Sequence, residues 1–274
     1  MLARGLLAAV TLAVTGSPAA AQLAPPNGDG ITFGHVHLNV TDLELHKRVW
    51  VDHFKGQWVA REPVEAVWLP GVLLMFNETE PTAGSQGSVM DHIGFKVRDY
   101  DGFLEQWRAD GFEVQREFRG VEGNRNVYLL TPDGLRIELQ EDATVDAPIV
   151  SHHVHWFAQD AEAALAHYTG AYGLRREPRG TIETTANVPG MNLSFSGVGR
   201  QFAGTRGRVI DHVGFEIDGL KDYVGTLQRL GVVFDVPYRE LPQLGIAVAF
   251  YTDPAGVVVE LTEGLRTYRD GRAP

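Results

Sequence analysis

The stretch His-Val-His-Leu-Asn-Val at residues 35–40 begins the pattern that decides how this chain folds. In it, a histidine is followed by apolar residues three and five positions later. The same pattern begins again at three further places, His92, His153 and His212. Because a recurring sequence pattern indicates a recurring structural unit, we expect four copies of one module.

The four copies form two similar pairs. The first and third copies contain His-Val-His, whereas the second and fourth contain Asp-His-[Ile/Val]-Gly-Phe. The two copies of a pair start 57 positions apart in the first half of the chain and 59 positions apart in the second. Each pair closes with a similar strand, which carries Glu138 in one half and Glu260 in the other. The sequence is therefore a duplicated half that contains two modules.

Hydrophobic periodicity and turn residues give the order of the elements within a half. Each copy begins with a strand-like segment, continues into a helix and ends with short strands. We therefore predict an α+β fold built from βαβββ modules, two to each half. The predicted helices lie at about 42–54, 100–109 and 161–172, and the third module is expected to carry strands near Arg175 and Thr181.

Local composition divides the chain into six segments. Residues 1–21 resemble a signal peptide, because a flank with Arg4 precedes a short apolar run and a small-residue stretch. Cleavage after about Ala21 predicts a periplasmic or secreted protein, and the apolar run is too short to span a membrane. The other segments are a flexible lead-in (22–30), a first domain (31–142), a linker (143–149), a second domain (150–264) and a tail (265–274).

The overall composition excludes several classes of function. The formal net charge of −11 disfavours a nucleic-acid or anionic-membrane partner. The chain contains no cysteine, which excludes disulfides, thiolate metal ligands and cysteine nucleophiles. The 274 residues, 44% of them hydrophobic, suffice for one large domain or two of ordinary size.

Two histidines and one glutamate recur at matched positions in each half. Alternate residues of a strand share a face, so paired modules that curl around one cavity can direct all three inward. Two imidazoles and one carboxylate leave about half of an octahedral shell open, which suits Fe(II) and also serves Mn(II) or Zn(II). The expected metal sets are His35, His92 and Glu138 in the first half and His153, His212 and Glu260 in the second.

The glutamates favour a metal site over an ordinary polar strand. Glu260 follows three valines and precedes a leucine, so its strand is expected to be buried. A buried, unpaired carboxylate is costly and needs a cation or a proton. For Glu138 the alternative is a polar stripe that faces solvent. His37 and His155 share a face with the expected ligands. Three roles are open for them: acid/base groups, further ligands or ordinary polar strand residues.

At these residues the chain resembles the vicinal oxygen chelate superfamily, which includes glyoxalase I, type I extradiol dioxygenases and bleomycin-resistance proteins. The resemblance covers about 32–142 and 150–264. It rests on the four histidine strand starts and on the Asp/Thr-Pro-x-Gly turns that precede Glu138 and Glu260. It implies two tandem domains, each with paired modules that form a curved mixed sheet around a funnel-shaped site. It also implies a divalent metal that binds a substrate with adjacent oxygens.

Within this superfamily the residues favour the dioxygenases. Glyoxalase I-like members use a fourth ligand on the strand before the second module, and 72–76 and 191–195 offer no carboxylate there. The extradiol pattern places an aromatic hydroxyl ten residues before the glutamate, where this chain has Tyr128 in the first half and Phe250 in the second. The resemblance implies that Tyr128 hydrogen-bonds a bound oxygen, and we expect His37 to move protons in place of the family's catalytic histidines. Those histidines of the dioxygenases have no counterpart here.

Three functions are compatible with these observations. The first is an exported, dioxygenase-like enzyme that acts on a catechol or another small molecule with adjacent oxygens. The second is an isomerase or lyase of glyoxalase type, in which the metal acts as a Lewis acid. The third is a non-enzymatic protein that binds a small molecule, as resistance proteins of this superfamily do. Oxygen consumption with catechols distinguishes the first function from the second.

Overall fold

The computed structural model describes residues 22–61 and 64–268, which form fifteen strands and four α-helices. The strands are β1 (Ile31–Val40), β2 (Gln57–Arg61), β3 (Val64–Leu69), β4 (Val72–Glu78), β5 (Met90–Val97), β6 (Glu113–Arg119), β7 (Arg125–Leu130), β8 (Arg136–Glu141), β9 (Ile149–Ala158), β10 (Thr185–Val188), β11 (Met191–Gly197), β12 (Ile210–Ile217), β13 (Phe234–Leu241), β14 (Ile246–Thr252) and β15 (Val258–Glu263). The helices are α1 (Leu43–Lys47), α2 (Tyr100–Ala109), α3 (Ala161–Tyr172) and α4 (Leu220–Arg229). The predicted signal peptide at 1–21 lies outside the described residues.

Capping residues set the limits of α2 and α3, which are the limits that the sequence predicts. The Asp99 carboxylate accepts a hydrogen bond from the Gly102 backbone N–H at the start of α2. The Asp160 carboxylate does the same for the first turn of α3, which ends at Gly173 with a φ of 62°. Short polar N-caps and a left-handed glycine are the usual end signals of helices. Where the described chain forms helices, none is long and apolar enough to cross a membrane.

The first helix differs from the single helix predicted at about 42–54. It is α-helical only over Leu43–Lys47 and continues as a π-helical segment, Arg48–His53. The wider turns bury neighbouring pairs of residues, Val49 with Trp50 and His53 with Phe54. An apolar repeat read at the α-helical period does not reveal this extra width.

The third module lacks the two strands predicted near Arg175 and Thr181. This part of the chain makes only isolated bridges, from Arg176 to Ala186 and from Arg179 to Ile182. Pro178 lies between them and cannot donate a backbone hydrogen bond to a ladder, which explains why no continuous strand forms.

The strands form two curved sheets, each of which contains two modules. The eight-stranded sheet has the order β13-β14-β15-β12-β1-β4-β3-β2, and the seven-stranded sheet has the order β10-β11-β9-β5-β8-β7-β6. The α+β class, the two tandem halves and the pairing of modules in sheets are confirmed. However, β1 pairs antiparallel with β12, and β5 with β9. The first module therefore pairs with the fourth, and the second with the third. The expectation that the two modules of one half share a cavity is wrong.

The connections between modules explain this exchange of partners. Only seven residues, 142–148, separate β8 from β9, which brings the second and third modules together. The longer connections, 79–89 and 198–209, run between the two sheets and pair with each other through backbone hydrogen bonds such as Val89 N to Ala203 O and Thr82 N to Gly207 O. All four modules begin with similar strands, so the sequence repeat predicts that modules pair but not which copies pair.

The main core fixes the face on which the histidines lie. One cluster of buried apolar side chains includes Val36 and Leu38 of β1, together with residues of all four modules. Since successive side chains alternate across a strand, His35 and His37 lie on the opposite, concave face. The same alternation places Val154 and Trp156 in the core and His153 and His155 on the concave face of β9.

Candidate metal centres

Eight predicted residues gather in two clusters, one on the concave face of each sheet. Site A comprises His35, His37, His212 and Glu260, and site B comprises His92, His153, His155 and Glu138. The ligand atoms of site A all lie within 4.8 Å of one another, as do those of the three site B histidines. Each site draws on both halves of the chain. The predicted sets are therefore wrong in one respect, because His35 joins His212 and Glu260, whereas His153 joins His92 and Glu138.

In site A two imidazoles converge on one carboxylate oxygen. Glu260 Oε2 lies 2.9 Å from His35 Nε2 and 3.0 Å from His212 Nε2. His35 is fully buried, and Glu260 is 8% exposed. The carboxylate predicted from the surrounding valines is thus buried among histidines, where it either shares protons with them or shares a cation.

Protonation in site A follows from these contacts. Burial disfavours the charged form of His212, but hydrogen bonds to Asp211 and Glu260 outweigh it and raise its pKa to about 9. Burial opposes the charge of Glu260 as well, yet His35 and His212 hold the pKa of this carboxyl well below its usual value. Burial and the neighbouring His212 lower the pKa of His37 to about 3. The cluster therefore favours a negative carboxylate beside positive charge, which is the charge pattern that a bound cation satisfies.

Site B repeats this geometry with one looser contact. Glu138 Oε2 lies 3.0 Å from His92 Nε2 and 3.7 Å from His153 Nε2, and the two imidazole Nε2 atoms are 3.1 Å apart. The Asn126 side-chain amide donates to Glu138 Oε1 at 2.5 Å. Despite burial, hydrogen bonds from His153 and His92 hold the pKa of Glu138 well below its usual value. Site B thus also places an ionised carboxylate between two imidazoles.

An aspartate orients one histidine in each site. Asp211 Oδ1 lies 2.7 Å from His212 Nδ1, and Asp91 Oδ1 lies 2.8 Å from His92 Nδ1. The Arg136 guanidinium in turn donates a hydrogen bond to Asp91 Oδ1 at 2.7 Å. A carboxylate on the far ring nitrogen fixes the tautomer and leaves Nε2 free to bind a metal, as is common around metal-ligating histidines.

Two glycines make room for His35 and His153, and neither glycine is among the predicted site residues. Gly214 lies opposite His35 in the ladder, and Gly94 lies opposite His153. A Cβ atom at either glycine would collide with the facing imidazole ring. The signal was present in the sequence, because both glycines belong to the repeated Asp-His-[Ile/Val]-Gly-Phe motif.

The remaining predicted residues differ between the sites. His37 Nε2 in site A is buried without a hydrogen-bond partner among the described residues, whereas His155 Nε2 in site B lies 2.8 Å from Ser196 Oγ. Tyr128 lies opposite Glu138 in the ladder, with its ring centroid 5.3 Å from that of His92. Tyr128 therefore belongs to site B with His155, and the expectation that it acts together with His37 is wrong.

Site A has no tyrosine in the place of Tyr128. Phe250 lies opposite Glu260, with its ring 5.5 Å from that of His212. The adjacent Tyr251 points away into the core, where its hydroxyl lies 2.7 Å from that of Tyr172. The two sites thus share their proposed metal donors but differ in the groups beside them.

Both clusters fit a divalent cation. In each, imidazole Nε2 atoms and one carboxylate oxygen converge on a small volume. An aspartate on the far ring nitrogen orients one of the histidines in each site. The adjacent strand supplies no further carboxylate, because Leu73 and Met75 of β4 lie beside His35 and His37. Asn192 and Ser194 of β11 take these places in site B. The donor set is therefore nitrogen-rich with a single carboxylate.

The family comparison agrees with this fold. The sequence profile of the Glyoxalase/Bleomycin resistance protein/Dioxygenase superfamily matches residues 32–139. The resemblance to this superfamily that the sequence indicates is therefore confirmed. The superfamily includes metal-dependent enzymes such as glyoxalase I and dioxygenases.

Solved structures extend the likeness of fold over most of the chain. Glyoxalase I from Zea mays matches with a TM-score of 0.68 and 17% identity, covering 85% of this chain and 92% of that one. A putative dioxygenase from Bacillus subtilis matches with a TM-score of 0.66 and 12% identity, covering 91% of this chain and 89% of that one. No curated protein sequence matches significantly. At these identities the likeness concerns the fold alone.

Proposed function

We propose that this protein is a divalent-metal-dependent enzyme, dioxygenase-like, that acts on a small molecule with adjacent oxygens such as a catechol. The observation that carries the proposal is the convergence of two imidazoles and one carboxylate in each site, with no second carboxylate on the neighbouring strand. This donor set is the facial triad that favours Fe(II) in oxygenases and also accepts Mn(II) or Zn(II).

Site B carries the groups that such a reaction requires. His92, His153 and Glu138 would hold a divalent ion, which would supply Lewis-acid and redox chemistry toward a substrate with two adjacent oxygens. Dioxygen would be the oxidant and would provide both inserted oxygen atoms. Tyr128 donates a hydrogen bond to a bound oxygen; burial and the nearby Glu138 raise its pKa well above the usual value, so it remains protonated. His155, which lies beside Ser196, moves the substrate proton.

A second activity is proposed for site A. There Phe250 replaces the tyrosine, and the buried His37 Nε2 has no hydrogen-bond partner among the described residues. A metal at His35, His212 and Glu260 would act as a Lewis acid on a substrate oxygen, and the neutral His37 would accept a hydrogen bond from the substrate. This arrangement favours isomerase or lyase chemistry without oxygen consumption.

We further propose that the mature protein works in a periplasm or outside the cell. The proposal rests on the charged flank, short apolar run and small residues of 1–21. Amino-terminal sequencing of the protein recovered from its native compartment tests it. A first residue near Gln22 is expected, and a retained Met1 would contradict it.

Metal content is the experiment that tests the enzyme proposal. Mass spectrometry of the native protein is expected to find about two ions per chain. Glu138→Gln should remove the site B ion alone, and Glu260→Gln the site A ion alone. Oxygen uptake with catechol should then disappear with Glu138→Gln and persist with Glu260→Gln. A protein that holds no ion after reconstitution with Fe(II), Mn(II) and Zn(II) would overturn the proposal.

A further inference from the structure

The proposed metal donors of sites A and B occupy equivalent positions in their sheets. The side chains around the donors can therefore be compared position by position. On one side, Leu73 and Met75 face the sheet partners His35 and His37, and Asn192 and Ser194 occupy the same places beside His153 and His155. Partners in register on adjacent strands share a face of the sheet. These four residues therefore line the sites directly.

The comparison extends over three strands of each sheet, and the pairs nearest the metal donors differ in the same direction. The reverse holds only farther along one strand, where Thr252 of the eight-stranded sheet matches Leu130 of the seven-stranded sheet. At six matched positions, site A has an apolar side chain where site B has a polar one. The pairs are Ala66/Thr185, Trp68/Asn187, Leu73/Asn192, Met75/Ser194, Val248/Asn126 and Phe250/Tyr128. The surroundings of the two sites have thus diverged although their metal donors have not.

Site A opens into a small apolar cavity. Its volume is about 150 Å³, and its lining includes Met75, Leu244, Val248 and Phe250 beside His37 and Glu260, with the exposed Arg239 as a further charged residue. An apolar cavity of about this volume holds a molecule the size of benzene.

Both ends of the described chain cover the apolar face around site A. Leu23 and Tyr268 are buried in one cluster with Trp68 and Met75. The Trp68 indole N–H donates to the Tyr268 carbonyl at 3.0 Å, and the Tyr268 hydroxyl donates to the Val64 carbonyl at 3.2 Å. These contacts fix the position of Trp68 and Tyr268 beside the cavity and limit the size of its ligand.

Site B offers hydrogen-bonding groups in place of this apolar lining. Asn126 Oδ1 and Gln140 Oε1 are buried acceptors without a partner among the described residues. Leaving such atoms unsatisfied is costly, so they favour a ligand that carries hydroxyl groups. The buried Arg179 donates to Ser194 Oγ at 3.1 Å. A polar cavity of about 470 Å³, lined in part by Arg179, Asn187 and Asn192, adjoins the site.

From these matched differences we infer that the two sites take chemically different ligands. Site A takes a compact apolar body about the size of one aromatic ring, and site B takes a polar molecule that carries several hydroxyl groups. The inference rests on the proposed function in so far as both clusters are ligand sites. It adds that one chain serves two classes of substrate, and that the lining residues, not the metal donors, select them.

Ligand-observed fluorine NMR on the full chain tests the inference with two probes. Fluorobenzene is apolar and carries no oxygen, whereas 3-fluoro-1,2-propanediol carries two adjacent hydroxyl groups. Both are titrated into Zn(II)-loaded protein, and fluorobenzene also into metal-free protein. Met75→Ser should weaken fluorobenzene binding at least fivefold and leave the diol unchanged. Ser194→Met, at the matched position of the other sheet, should weaken the diol at least fivefold and leave fluorobenzene unchanged.

The outcomes separate this inference from the proposed function. Loss of both probes with the same variant, or no fluorobenzene binding, overturns the inference, whatever the metal content. Absence of metal with fluorobenzene binding that still depends on Met75 overturns the proposed function alone. Circular dichroism checks the fold of each variant. Leu244→Ser, at the edge of the cavity, replaces Met75→Ser if the latter does not fold, with the same expected loss.

Discussion

His35 on β1 lies directly opposite Gly214 on β12, and its imidazole occupies the space that a Cβ atom at Gly214 would fill. His153 and Gly94 repeat this relationship in the other sheet. In both sites, one ligand histidine therefore reaches across the strand that carries the other ligand histidine. The glycine makes this crossing sterically feasible, and it is as much a part of the site as the donors are.

Replacement of this glycine should impair one site at a time. Gly214→Ala is expected to displace the His35 ring and to weaken metal binding at site A roughly 10- to 100-fold, as changes to groups that orient ligands do. Calorimetric titration with Zn(II) measures the affinity of each site. Gly94→Ala is the matched control, since it should weaken site B and leave site A unchanged. Equal affinities in both variants and the parent would contradict this role.

The aromatic residue opposite the glutamate should control oxygen chemistry. Tyr128→Phe removes the hydroxyl beside His92 and retains the ring, so oxygen uptake at site B should fall roughly 100- to 1000-fold, as on loss of one hydrogen-bond donor, while the bound metal remains. Oxygen-electrode assays with catechol, run beside metal analysis, measure both quantities.

The reciprocal change supplies the control for Tyr128. Phe250→Tyr places a hydroxyl opposite Glu260 in site A and should leave uptake at site B unchanged. If Tyr128→Phe lost its metal together with its activity, the hydroxyl would be structural and the proposed role would be wrong.

The repeated histidine motif was sufficient to predict the modules but not their partners. Capping by Asp99 and Asp160 sets the limits of α2 and α3, and these signals are local, so sequence analysis located both helices. Whether His35 faces Glu138 or Glu260 depends on which strand lies beside β1. That choice is made by the connections at 79–89 and 198–209, whose long-range pairing leaves no periodic signal. The residue types of the sites were therefore predictable, whereas their grouping was not.

The division of Tyr128 and His37 between two sites has the same origin. Both residues lie on the concave face of a strand, as alternation predicts. They were expected to act together because they belong to the same half of the sequence. Once the modules pair across halves, His155 becomes the histidine that accompanies Tyr128. An error about one strand pairing thus changes the mechanism assigned to a whole site.

Removal of the Tyr268 side chain should destabilise the protein without loss of metal. Tyr268 is 1% exposed and packs in the cluster that covers site A. Tyr268→Ala leaves a cavity there, and replacements of this kind in a core cost about 3 kcal/mol. Chemical denaturation measures the free energy of unfolding. Val233→Ala is the control, since Val233 is 82% exposed and its truncation should change stability little. An unchanged free energy for Tyr268→Ala would show that the end of the described chain does not contribute to the folded domain.

His53 should make stability depend on pH independently of the two sites. It is 3% exposed, and its ring packs against those of Phe103, Trp107 and Phe112. Burial lowers its pKa below the ordinary 6.5, and Asp110, whose carboxylate lies 3.0 Å from Nε2, offsets this only in part. The folded state therefore disfavours the charged imidazole, with Lys55 adding to the effect and Asp52 opposing it.

The sign of the pH dependence follows from linkage. Below pH 6.5 the unfolded chain binds a proton at His53 before the folded chain does, so the contribution of His53 to stability is complete above pH 6.5 and falls as the pH falls toward the lower folded-state pKa. His53→Phe keeps an aromatic ring in the cluster and removes the titration. Urea denaturation at pH 7.5 and pH 5 should show a smaller loss of stability at the lower pH for the variant than for the parent protein. Equal losses in the two proteins would mean that His53 accepts a proton in the folded state as readily as in the unfolded chain, with Asp110 compensating fully for burial.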